Sequence, residues 1–185
     1  MALELNLRLD DGLSAADKRA MPYFTDAAKD KIAQFMRDLL VDFVRLGSSF
    51  VFDVTWGVPG EALELPNLVL IYFRANQGST LTRQFAGAPA PPNNAAGFTV
   101  AVNKLTLSEV YVEQNFPEDK MARIALYEMM HNRTETGEDL HKSAIGGDGI
   151  ASSPTTGWEK VTPKNAQLVS RSLHKKIPQF ERKWN

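Results

Sequence analysis

The residues of this chain whose types and spacing invite chemistry are Tyr127, Glu128 and His131, followed ten positions later by His141. On a helix of about 100° per residue, Tyr127, Glu128 and His131 fall within one sector of about 100°. The surrounding helix is apolar nearly all round, through Met121, Ala122, Ile124, Ala125, Leu126, Met129 and Met130. Lys120 and Arg123 lie in the earlier turns, where they can reach solvent. Such a helix is buried. Burying an unpaired carboxylate is costly, so Glu128 needs partners or a wet cleft. A metal with its water is one way to meet that need. His131 would be a ligand and Glu128 would lie beside the water. Zinc lowers the pKa of that water to roughly 7, and a carboxylate can then take its proton as general base.

Residues 127–131 read YEMMH, one change from the HExxH motif in which two histidines bind zinc and the glutamate is the base. The chain resembles the zincin metallopeptidases, and among them the metzincins, which take a third histidine beyond a downstream glycine. Here Gly137 and then His141 follow, in HNRTETGEDLHKSAIGGDGI. The resemblance implies Glu128 as catalytic base, His131 and His141 as metal ligands, and Tyr127 at the position of the missing first histidine. The HN pair and the GGDG run also resemble metallopeptidase effectors that bacteria inject into rivals. That likeness implies a peptide or protein substrate, an immunity protein as partner, and export from the cytoplasm by a dedicated secretion system. The zincin resemblance covers most of the chain as an order of elements but only residues 127–141 as motif.

Three departures qualify the pattern. Tyrosine stands at Tyr127, His141 is ten residues beyond His131 where metzincins use six, and no methionine follows His141 where a methionine-containing turn, near Gly149–Pro154, would be placed. Glu135, Glu138, Asp139 and Asp148 are alternative third ligands, since carboxylates also bind zinc. Neutral imidazole binds zinc readily at pH 7, whereas a phenol of pKa near 10 must first lose its proton. Losing a group that merely orients a ligand costs about 10–100-fold in metal affinity, and losing a ligand costs more. Zinc is therefore expected for a Tyr127→His form and is weak or absent with Tyr127, together with little peptidase activity. Either the tyrosine is a disabling change, or the chain is a natural pseudopeptidase that binds without cutting. A structural part of a secretion apparatus with an accidental motif is the remaining reading. His131 alone could also be an ordinary helix-terminal histidine favoured by the helix dipole, and His174, beside Lys175 and Lys176, reads as solvated.

The elements that must position these residues give an α+β, zincin-like order: an N-terminal helix, a twisted mixed sheet of about four or five strands, the active-site helix, an irregular loop and a C-terminal helix. Ile32, Phe35, Met36, Leu39, Leu40, Phe43 and Val44 form an apolar stripe over 26–46, with Thr25 as N-cap and Gly47 at the other end. Strands are expected at 50–56, 68–73, 98–102 and 105–112, the last two as hairpin partners, with a short strand near Leu81. LVLIYF, 68–73, is continuously apolar, as a central strand covered on both faces would be, and 98–102 is a candidate edge strand for an extended peptide. Asn115 or Phe116 caps the active-site helix, and Pro117 suits its first position. Thr162 caps the last helix, running from Pro163 to Lys176.

The 185 residues fit a single domain. With 21 basic and 22 acidic residues, nothing draws the chain toward nucleic acid or an anionic membrane. The absence of cysteine excludes disulfides, thiolate metal sites and cysteine nucleophiles. No secretory signal pattern opens the sequence, and the apolar run 68–73 is too short to span a bilayer. The basic tail RSLHKKIPQFERKWN reads as a helix-end charge complement rather than a nucleic-acid patch. Trp56, Trp158 and Trp184 read as packing residues, and Gly146, Gly147 and Gly149 as a tight turn.

Overall fold

The structure, a computed structural model, describes residues 3–47, 49–57, 64–134, 140–141, 148–152 and 159–182. Gly137, Gly146, Gly147, Trp158, Trp184 and the alternative ligands Glu135, Glu138 and Asp139 lie outside the described residues. The fold is α+β. Five strands, β1 (Leu3–Asp11), β2 (Phe50–Trp56), β3 (Leu68–Arg74), β4 (Gly97–Val102) and β5 (Leu105–Tyr111), form one sheet in the order β2-β1-β3-β5-β4. Four α-helices are described: α1 (Ala15–Ala20), α2 (Asp26–Arg45), α3 (Glu118–Thr134) and α4 (Pro163–Ser172). All neighbouring strands are parallel except the β4/β5 hairpin, so β4 is an antiparallel edge.

The chain begins with a strand, not with the helix expected first. In LELNLRLDD the leucines alternate with polar residues, and Leu5, Leu7 and Leu9 are fully buried against the helices. The opposite side is polar and paired: Arg8 to Asp53 at 2.7 Å and Arg182 to Asp10 at 2.8 Å. That period of two is the signal for a strand. β1 lies inside the sheet, between β2 and β3.

β3 occupies the middle of the sheet, as its unbroken apolar run requires. Val69, Ile71 and Phe73 join the main core with α2 and α3, while Leu68, Leu70 and Tyr72 face a second cluster containing Leu81, Phe85, Leu107 and Phe180. The two long helices pack side by side on one face. On the other face, residues 80–85 and the C-terminal tail cover the sheet, with Phe85 stacked on Phe180 at 4.8 Å between ring centres. The short strand expected near Leu81 is a 3-10 turn, Leu81–Arg83. It is fastened by the buried Glu109 carboxyl, which accepts from the Leu81 amide and the Thr80 hydroxyl, both at 2.6 Å.

α2 has the expected Thr25 cap, whose side chain accepts from the Ala28 amide. Trp56 packs as expected, 4.8 Å from Phe73 between ring centres. Thr162 and Pro163 open α4 as expected, but the helix ends at Ser172 rather than near Lys176. Among the described residues, no helix is long and apolar enough to cross a membrane.

Candidate metal centre

α3 starts at Glu118 rather than at Pro117, and the Pro117 carbonyl accepts the first helical bond, from the Met121 amide at 3.0 Å. Glu118 and Asp119 occupy the first turn, where acidic groups complement the positive end of the dipole. Met121, Ala122, Ile124, Ala125, Leu126, Met129 and Met130 are all buried, as their wheel requires. Arg123 is half-buried and reaches Asp119 at 3.1 Å, one turn back.

At the far end of this helix three rings converge. The centres of Tyr127 and His131 are 4.7 Å apart, those of His131 and His141 5.2 Å, and those of Tyr127 and His141 5.7 Å. The Tyr127 hydroxyl is 2.9 Å from His141 Nε2. All three rings are half-buried. The long spacing between His131 and His141 therefore does not keep the two imidazoles apart. Leu140 is fully buried in the main core, and anchoring it there brings its neighbour His141 to the end of α3.

The turn Gly149–Ala151 supports the same point from the other side. Ile150 and Ala151 are fully buried, and the Ala151 carbonyl lies 3.3 Å from His141 Nδ1. Gly149 has φ +52°, and a Cβ there would lie 2.3 Å from the Lys160 carbonyl oxygen, so only glycine fits. Asn165 of α4 binds the turn through the Ile150 amide at 3.2 Å. Asp148 is exposed, and its carboxylate accepts from Thr162 and Asn165 at the start of α4. It serves the helix cap, not the rings.

Glu128 is buried, with its carboxylate turned toward β4. Thr99 Oγ1 donates to Glu128 Oε2 at 2.7 Å. Gly97 leaves the necessary room, since a Cβ there would lie 2.5 Å from Glu128 Oε1. Neither Thr99 nor Gly97 was singled out by the motif. The available signal was the period of two in FTVAV, which gives one side of β4 its small residues. Behind them runs a buried polar chain, in which Ser108 Oγ lies 3.0 Å from Thr99 Oγ1 and accepts from Asn132 Nδ2 at 3.0 Å. Asn132 also exchanges hydrogen bonds with Gln179 at 2.8 and 2.9 Å. The HN pair thus belongs to the last turn of the helix, and its asparagine ties α3 to the sheet and the C-terminal tail.

Burial pushes the Glu128 carboxyl up to about 8, from an ordinary glutamate value of 4.5, although the Thr99 hydrogen bond draws it down. A carboxyl raised in this way binds its proton more tightly in the folded state. Its stabilising contribution is complete below the unfolded value of 4.5 and is lost as pH rises through about 8. Melting curves collected from about pH 5 to pH 9 should therefore show the unmodified protein losing stability relative to Glu128→Gln. Parallel curves would contradict the burial argument.

His174 is exposed, as expected for a solvated histidine. Among the described residues no three His, Cys, Asp or Glu side chains group as a metal site. The third member of this ring cluster is tyrosine. Comparison of the chain with protein-family models, curated proteins and solved structures finds no match.

Proposed function

We propose that this domain is a zincin-type metallopeptidase scaffold in which Tyr127 stands at a ligand position and holds the chain inactive. The observation that carries the reading is the convergence of Tyr127, His131 and His141 at the end of a buried helix. Chance placement of ExxH on a helix would not bring a histidine from a separate segment to the same point. The order of elements supports it as well: a largely parallel sheet with an antiparallel edge, then the motif helix, a tight turn beside His141, and a last helix. Glu128 lies against that edge strand, where an extended peptide could add as a further strand. The substrate class is accordingly a peptide or protein, and injection into a rival cell is the setting that the effector-like motif suggests.

The donor set as it stands does not suit zinc. Two imidazoles and a protonated phenol leave one ligand short, and the phenol is already engaged with His141 Nε2 at 2.9 Å. That same bond favours the second reading, a pseudopeptidase kept for binding, because it settles the ring cluster without a metal. Tyr127→His distinguishes the two. On the peptidase reading the variant takes up one equivalent of zinc, with affinity raised at least about 100-fold, and gains peptide hydrolysis. Metal analysis and a peptide-cleavage assay read the result, and no gain in either leaves the binding-protein reading.

A further inference from the structure

We propose that the unmodified chain binds a cupric ion through Tyr127, His131 and His141, with the phenol entering as phenolate. With its proton on Nδ1, His141 would donate to the Ala151 carbonyl, 3.3 Å away, and leave the Nε2 lone pair on the side of the Tyr127 oxygen. Fixing a histidine tautomer through a backbone carbonyl is how metal-binding imidazoles are commonly oriented. The spacing fits neighbouring ligands. Two donors each about 2.0 Å from one ion and at right angles lie about 2.8 Å apart, and Tyr127 Oη to His141 Nε2 is 2.9 Å. Imidazoles sharing an ion at that bond length have ring centres about 4.5–5.2 Å apart for angles from square to tetrahedral, and those of His131 and His141 are separated by 5.2 Å.

The choice of ion follows from the phenol. Its proton leaves to solvent as the metal binds, and affinity for such oxygen and nitrogen donors rises along the divalent first-row ions. Copper heads that series, and two nitrogens with an anionic oxygen make the tetragonal N,O set that it prefers. The inference uses the same three rings as the peptidase reading but does not depend on peptidase ancestry.

Copper(II), offered through a glycine buffer that keeps it off the exposed His174, should bind at one equivalent and produce a visible phenolate-to-copper charge-transfer band. Tyr127→Phe, which keeps the ring, should lose the band, and His141→Ala should lose at least tenfold in copper affinity. Equimolar zinc should not displace the copper. A band that is absent from the unmodified protein, or one that survives Tyr127→Phe, overturns the assignment. The spectrum of the unmodified protein decides even if a variant misfolds. Zinc uptake by Tyr127→His tests the peptidase reading separately.

Discussion

Replacing Glu128 by Gln in the Tyr127→His protein is expected to lower peptide hydrolysis by about 10²–10⁴-fold while leaving zinc content unchanged, the range typical for losing a positioned general base. Glutamine keeps the size of the side chain and can still meet Thr99, so the change removes the proton-accepting oxygen without emptying the space beneath β4. The charge of bound zinc favours the ionised form of Glu128, and the loss should appear mainly in kcat, because this carboxylate is assigned to proton movement and not to substrate binding. Equal hydrolysis by the two proteins would remove Glu128 from the chemistry. Loss of zinc together with activity would place its role in the architecture of the site instead.

The second large effect concerns Arg133, which is fully buried at the end of α3. Its guanidinium donates to the carbonyls of Ser172 and Lys175 at 2.5 and 2.8 Å and to the Asn67 side chain at 3.0 Å. Two of these acceptors lie at and just beyond the end of α4, where carbonyls lack helical partners and the dipole favours a cation. Arg133→Ala would remove their buried donor and leave a cavity. A destabilisation of about 3–5 kcal/mol is expected, read as a lower midpoint in urea. Arg133→Lys should recover part of it, since lysine keeps the charge but lacks the planar fork. A change within about 0.5 kcal/mol, the range of an ordinary surface substitution, would mean that α4 is held by its apolar face alone.

Much of the scaffold is legible from local pattern. The stripe on α2, the Thr25 and Thr162 caps, the hairpin of β4 and β5 and the unbroken apolar run of β3 each express a rule that acts within a dozen residues. β1 obeys such a rule too: the leucines of LELNLRLDD alternate with polar residues and mark a strand, although the zincin-like order begins with a helix. The short element at Leu81 went the other way. Its turn is imposed by a buried glutamate on β5, a partner that no local period can reveal.

For the site, the sequence by itself determined which groups could act: the sector shared by Tyr127, Glu128 and His131 follows from helix geometry, and the candidacy of His141 is what the resemblance to the metzincin pattern implies. The tertiary structure alone decided that the ring of His141 reaches the other two. A separation of ten residues leaves many directions open, until burial of Leu140 and the Ala151 carbonyl select one. It also decided the setting of Glu128, because the hydroxyl of Thr99 and the bare backbone of Gly97 come from a strand about 30 residues away in the chain. Periodicity fixes what a segment presents on its own surface. Which distant segment answers it depends on how the whole core closes.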